Sequence, residues 1–438
     1  MRDNVLAQAL HQHFLDCPQY AKILSKTAKF SRQELHITGL SDSAKSLILS
    51  LLHHEIRRPF FLVAADHNHA ARYHQELSNL SRYKVLLYPA SEVSPYEQVL
   101  HSPDTIAQQM EVLQQITKEP YEPYIVVLPA RAIMQKVLDR KTLKSNTLTI
   151  RKGSKLDLSD LRLELVRLGY GKESIVTLRG EFSTRGDIID VYPSCGPAVR
   201  IELFGEEVES IRHFSIDTQR SIEELNEIDI LPRWWAVMEN SDKVIASLRE
   251  AGDKALEALS DSARETLSAV LESDLQALAT KAYPESLEYY SSFINEQFWT
   301  LMNYLPDNAL FIFDEWDSVS MSLKSYEKRM EETYAEGVQS GRLLPLPRPL
   351  HLTLAEFGEQ SQKCQRVFLV SMPGVESAAY EESNEQGSIV KFDCHNVERF
   401  NSQLKQIVEK IKAWQAEGYR ISISTEQPQR VLGLLHEW

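Results

Sequence analysis

The sequence predicts an α/β fold in which a parallel sheet is interrupted by a β-rich unit and followed by a second small α/β domain. Three observations carry this. Short apolar strands alternate with amphipathic helices through residues 1–139, the pattern of a parallel sheet covered by helices. From about 140 to 230, β-branched and aromatic runs lie close together between glycine-containing turns, which is how antiparallel hairpins are written. At Leu343 to Leu350, L-L-P-L-P-R-P-L, three prolines in five residues impose an extended connection and mark a boundary. A length of 438 residues suits roughly three or four such units.

In chain order, residues 1–30 read as polar and helical before a first strand, Leu35 to Thr38. The next stretch, Gly39 to Ser46, is G-L-S-D-S-A-K-S. It has the length and the strand-to-helix setting of a phosphate-binding loop, G-x-x-x-x-G-K-[ST]. Ala44 stands where the second glycine belongs, and its methyl group restricts the backbone that would aim amides at a phosphate. Lys45 and Ser46 keep the required types, so residual nucleotide or phosphate binding stays open. Strands then follow at Phe60 to Ala64, Lys84 to Tyr88 and Tyr124 to Leu128, with helices from about Asn68 to Leu80, Asp104 to Thr117 and Ala130 to Leu138. After the β-rich unit, an acidic and mainly helical stretch runs to about 305, and the apolar strand Leu310 to Phe313 ends in Asp314 and Glu315. This is the form of a Walker B motif, whose Asp holds magnesium and whose Glu positions an attacking water; a strand running out into a polar turn reads the same way. Together the two motifs predict a degenerate RecA-like (P-loop NTPase-like) domain formed by 1–139 and 231–340, split by a β-rich unit at 140–230. A linker at 341–350 leads to the small α/β domain, 351–438. That last segment is read as a strand at Val367 to Val370, a helix with the stripe Val397, Phe400, Leu404, Ile407, Ile411 and Trp414, a stop at Gly418, and a strand from Tyr419 to Ser424.

The β-rich unit centres on Arg179 to Pro193, R-G-E-F-S-T-R-G-D-I-I-D-V-Y-P. Ile188, Ile189, Val191 and Tyr192 have the character of a buried strand, and Gly180 and Gly186 bracket a bend. Arg179, Phe182 and Arg185 are expected on a short exposed loop beside it. Strands Ala198 to Phe204 and Val208 to Phe214 follow, joined only by Gly205-Glu206-Glu207, a hairpin connection.

Net charge is −14, which argues against a protein that grips nucleic acid through an extended phosphate-neutralising surface. Arg140 to Arg200 reverses the sign, with 12 Lys and Arg against 7 Asp and Glu, a net of +5 that leaves −19 for the rest. Such an island fits an acidic protein partner, DNA, or simply a solvated charged face. Cys17, Cys195, Cys364 and Cys394 are too dispersed for a zinc site or a disulfide framework. With no signal-peptide core and no run of about 18 apolar residues, the expectation is a cytoplasmic protein with no membrane partner. Asp66, His67 and His69 form a weak metal candidate without further ligands at useful spacing, so no metal is expected. His53-His54 lies near a helix end, where compensation of the helix dipole is explanation enough. No nucleophile, base and orienting group stand together at a local spacing.

The run G-E-F-S-T-R-G-D-I-I-D-V-Y-P, then V-R-I-E-L-F-G-E-E-V-E-S-I-R, then D-T-Q-R-S (Asp217 to Ser221), resembles the domain shared by the excision-repair protein UvrB and the transcription-repair coupling factor family, Mfd. The likeness spans more than forty residues with order and spacing intact. It implies a docking surface for UvrA, the damage-recognition ATPase, with Arg162, Arg179, Phe182 and Arg185 as contacts. Phe182 and Arg185 stand in G-E-F-x-T-R-G, and Arg162 stands in the preceding D-L-R-x-x-L-x-x-x-G-Y helix. Arg179 rests on a looser alignment. Without the resemblance, Phe182 filling the core and the arginines pairing with Glu181, Asp187 and Asp190 would explain the same residues.

Within this comparison, Ala44 is similar to the coupling factors, whose first domain is a non-hydrolysing relic, rather than to UvrB, whose corresponding domain is an active ATPase half. Between Tyr88 and Asp104 the chain is also too short and too poor in aromatics for UvrB's DNA-clamping hairpin. The implied role is recruitment of UvrA in transcription-coupled nucleotide excision repair. RNA polymerase and DNA would be engaged through the rest of a full-length protein, and ATP and magnesium used only in its motor part. Direct DNA binding by this chain is expected to be weak or absent. The alternative is a UvrB-like ATPase or helicase subunit using Lys45, Ser46, Asp314 and Glu315.

Overall fold

A computed structural model describes residues 14, 17–29, 31–97, 102–118, 122–280, 284–295, 297–371, 388–394, 397, 400, 404–421, 423, 425 and 427–436. Its strands are β1 (Leu35–Thr38), β2 (Phe60–Ala64), β3 (Lys84–Leu87), β4 (Tyr124–Pro129), β5 (Lys136–Val137), β6 (Leu148–Arg151), β7 (Gly171–Lys172), β8 (Glu181–Arg185), β9 (Ile188–Tyr192), β10 (Val199–Phe204), β11 (Glu207–Phe214), β12 (Ser221–Leu225), β13 (Glu227–Ile230), β14 (Trp299–Thr300), β15 (Leu310–Asp314), β16 (Gln365–Val370) and β17 (Ser388–Lys391). The helices used below are α1 (Pro18–Thr27), α2 (Asp42–Ile56), α3 (His67–Leu80), α4 (Pro103–Ile116), α5 (Leu158–Arg167), α6 (Ser241–Ala258), α7 (Asp261–Ala279) and α8 (Trp316–Gln339).

The main sheet has seven strands in the order β17-β1-β16-β15-β2-β4-β3, and every pairing is parallel. Its central strands are apolar at consecutive positions because both faces are covered. Phe60, Leu62 and Ala64 of β2 pack into the layer under α1, α2 and α3, while Phe61 and Val63 enter the opposite core with Met110 and Leu113 of α4. The same alternation divides β15, with Leu310 and Ile312 on one side and Phe311 and Phe313 on the other. α6 and α7 form a helical hairpin that joins the α4-side core through Leu248, Leu267, Leu271 and Leu278.

The β-rich segment is a second sheet, six strands in the order β12-β11-β10-β9-β8-β7, with β6 and β13 pairing beside it. Helix α5, capped by Asp157, sets Leu161 and Leu165 into a core with Ile189, Val191, Val199, Ile201 and Ile211. At Gly180 the backbone has φ +79, and a Cβ would lie 2.4 Å from Nε of Arg233, so only glycine lets this turn close.

Several expectations give way. The strands Gln365–Val370 and Ser388–Lys391, expected in a separate small domain from 351, lie in the main sheet. β16 lies between β1 and β15, and β17 flanks β1 on its other side, so both complete the main sheet. The pattern of Val367 to Val370 identifies a strand but not its partner. The proline-rich stretch is not a free linker either: Leu343, Leu344 and Leu350 are buried, the Tyr289 hydroxyl donates to the Leu344 carbonyl, and the Leu346 amide donates to the Tyr334 hydroxyl at 2.9 Å. Leu343, Leu344 and Leu350 enter the main core and Leu346 packs against it. The helix expected at Ala130 to Leu138 stops at Ile133, because Lys136 and Val137 pair with Trp299 and Thr300. The helix stripe beginning at Val397 is described as a helix only over Leu404–Ala416, ending beside Gly418 at φ +88. Residues 419–421 and 423 are not strand, and 422 and 424 lie outside the described residues. Residues 1–13, 15, 16 and 30 of the expected first helix, and 98–101 of the stretch compared with the UvrB hairpin, lie outside them too.

Candidate functional site

The two phosphate-site motifs meet, but in a form that holds itself. Lys45 is 1 % exposed, and its Nζ donates to Asp314 Oδ1 and Glu315 Oε1, each at 2.6 Å. Glu315 also accepts the Ser371 amide at 2.8 Å and sits at φ +51, an unusual conformation for a residue with a side chain. Burial pushes its carboxyl up, yet the Lys45 and Ser371 bonds leave it below the usual glutamate range. Ser46 donates to Glu76 Oε2 at 2.5 Å. Helix α2 starts after Ser41 with no side-chain cap and carries Asp42, paired with Arg72 at 3.1 Å, in its first turn. A carboxylate there opposes an anion at the helix N-terminus.

The loop is also covered. The Phe392 amide donates to Thr38 O at 2.8 Å and the Cys394 amide to Gly39 O at 3.1 Å. Gly39 has φ +76, and a Cβ there would fall 2.1 Å from the Phe392 carbonyl oxygen. Ala44 is half-buried on the same turn. Lys45 and Ser46 are bonded to protein carboxylates, and Gly39 is engaged at both its amide and its carbonyl, so these side chains do not fit a triphosphate cradle as they stand.

The four residues expected to dock a partner divide three ways. Phe182, expected on display, is 1 % exposed and packs into the β-domain core with Leu161 and Leu165. Residues 181–185 form strand β8 rather than a loop, and position 182 faces inward. Arg179 is a brace between the inserted domain and the main domain. Its Nε donates to Asp104 Oδ1 of α4 at 2.9 Å, Nη1 donates to Gly196 O at 2.6 Å, and the guanidinium lies 4.5 Å from the Tyr192 ring centroid. Arg185 is exposed, with one long bond from Nη2 to Ser174 O at 3.4 Å. Arg162 is half-buried on α5, and its Nε has no hydrogen-bond partner. Of the three carboxylates suspected of pairing with them, Glu181 accepts the Thr177 and Leu178 amides. Asp190 is held in a bidentate pair by Arg200, with its Oδ1 2.6 Å from Nε.

Sequence reasoning missed the contacts that join the two domains. The Cys195 thiol points at Ala107 O of α4 at 3.3 Å, and burial pushes its pKa up to about 12. Trp235 Nε1 donates to Gln109 Oε1 at 3.2 Å, and Arg233 stacks on Trp234 at 4.6 Å. A dispersed cysteine and a Trp pair carry no local signal of an interdomain seam. The cysteines are all free. Among the described residues no cluster of His, Cys, Asp and Glu could hold a metal ion, and no helix is long and apolar enough to cross a membrane. Asp66 instead caps α3, accepting the His69 amide at 3.0 Å.

Fold and site together define a degenerate P-loop NTPase-like domain carrying an inserted β-sheet domain braced against it. Residues 148–234, the inserted unit, match the family described as the UvrB interaction domain. The chain is 34 % identical over 319 residues to the transcription-repair-coupling factor of Bacillus subtilis, covering 71 % of this chain and 27 % of that protein. It is 26 % identical over 420 residues to that of Staphylococcus epidermidis, covering 93 % and 35 %, and 27 % identical over 326 residues to that of Haemophilus influenzae, covering 74 % and 27 %. The chain thus carries a UvrB interaction domain and corresponds to the UvrB-homology region of the transcription-repair-coupling factors, spanning about a third of the length of these relatives.

Proposed function

We propose that this chain recruits UvrA to stalled RNA polymerase in transcription-coupled nucleotide excision repair, through the inserted domain at 148–234. The observation that carries the reading is the coincidence of the UvrB interaction domain match with one folded sheet that leaves Arg185 exposed on its β8 strand. The rest of the chain is the platform. In this reading Arg162 and Arg185 steer and hold an acidic partner, Phe182 supports the sheet from within, and Arg179 sets its orientation. RNA polymerase and DNA are met by other parts of a longer protein, and the chain works in the cytoplasm without a cofactor of its own. Support for a non-hydrolysing platform comes from Lys45, neutralised by two carboxylates, and from the occupied loop at Gly39.

The test is calorimetric titration of the whole chain with purified UvrA. Wild type binds, and Arg185→Ala weakens binding about tenfold while keeping the wild-type melting temperature. Absence of wild-type binding would overturn the recruitment reading.

A further inference from the structure

A docking site of this kind needs a desolvated apolar centre within its ring of cations. Phe182 cannot supply it at 1 % exposure. Among the described residues of the inserted domain, the exposed large apolar side chains are Leu163 (67 %), Ile175 (48 %), Leu178 (64 %), Phe204 (80 %) and Ile222 (72 %). Ile222 lies on β12, four strands from β8 and so about 19 Å across the sheet. Phe204 is the last residue of β10, at the hairpin tip. Leu163 follows Arg162 on α5.

Ile175 and Leu178 differ from the others in their setting. They occupy the connection between β7 and β8, the strands at one edge of the sheet. That connection is fixed from three sides. Val176 between them is fully buried, with its carbonyl accepting from Gln219 Nε2 at 3.2 Å. Glu181 Oε2 accepts the Thr177 amide at 2.8 Å and the Leu178 amide at 2.7 Å. Arg185 Nη2 reaches Ser174 O. The exposed cations Lys172 and Arg185 border the stretch, Glu173 is its exposed carboxylate, and the Glu181 carboxylate is turned onto the Thr177 and Leu178 amides. Two apolar side chains are therefore held outward on a rigid turn between cations, a preordered arrangement that loses little entropy when covered.

We propose that Ile175 and Leu178 are the apolar anchors of the docking edge, entering an apolar pocket bordered by carboxylates on the protein partner. This rests on the recruitment reading, with that partner being UvrA.

The experiment titrates the whole 438-residue chain with purified UvrA and follows thermal melting in parallel. Leu178→Ala and Ile175→Ala each weaken binding about tenfold or more, Leu178→Met restores most of it, and Phe204→Ala and Ile222→Ala stay within about twofold of wild type. All variants melt as wild type does, because the replaced groups face solvent. Wild-type affinity in Leu178→Ala and Ile175→Ala overturns the assignment. Should Arg185→Ala alone weaken binding, the recruitment reading stands and the anchors lie elsewhere. Failure of wild type itself to bind sinks both.

Discussion

His53 is a titratable group sealed inside the main domain. Its ring is fully buried, Nε2 lies 3.1 Å from the Tyr124 carbonyl, Nδ1 has no partner, and burial lowers its pKa to about 4. The unfolded chain takes up this proton near pH 6.5 and the folded chain does so only near 4. Stability is therefore full above pH 6.5 and falls through that window as the pH drops, by about 3 kcal/mol at the lower end. Urea denaturation between pH 7.5 and 4.5 reads the loss, and His53→Gln flattens the slope whatever it does to stability at neutral pH. An unchanged slope in the variant would assign the acid sensitivity to other groups. Phe182 makes the companion case: as a ring buried in the β-domain core, its replacement in Phe182→Ala costs about 3 to 5 kcal/mol. That loss appears as early melting of the inserted domain, whereas wild-type melting would mean that the ring is not core.

At the scale of elements, strands whose chemistry is local were legible and their neighbours were not. Phe60 to Ala64 and Leu310 to Phe313 announce themselves as strands by unbroken apolar character, and the β10-β11 hairpin by Gly205-Glu206-Glu207. The pattern of Val367 to Val370 is equally plain, yet nothing in it says that its neighbours are β1, some 330 residues earlier, and β15. Likewise G-E-F-S-T-R-G allows either face for Phe182 until register with Val191 turns it inward. The Lys45–Asp314–Glu315 cluster was legible as two motifs; that they would bond to one another was not. Arg179 supplies the test at this scale. Without its bond to Asp104 the inserted domain tilts more freely on α4, so Arg179→Ala raises amide exchange at 194–196 and 104–107 while β10 and β11 stay protected. Equal protection in variant and wild type would show that Cys195 and Trp235 hold the seam without it.

For the molecule as a whole, the internal neutralisation of Lys45 predicts no ATP-dependent phosphate release above background, with or without DNA. A steady-state assay of wild type and Lys45→Ala decides it, and turnover near one per second that vanishes in the variant would favour the UvrB-like alternative. Lys45→Ala carries its cost in stability instead, since Asp314 is then left buried without its cation, a loss of about 3 kcal/mol or more. The place of β16 between β1 and β15 also bears on how the chain emerges from the ribosome. Thr38 is made 327 residues (365 − 38) before Gln365, the first residue of the strand that must lie beside it. At about 5 to 20 residues per second, β1 waits roughly 15 to 65 seconds for that neighbour. The inserted sheet, whose pairings all fall within residues 171–225, is complete long before then. The nascent chain thus presents the inserted sheet already folded while the main sheet beside it still has an open seam.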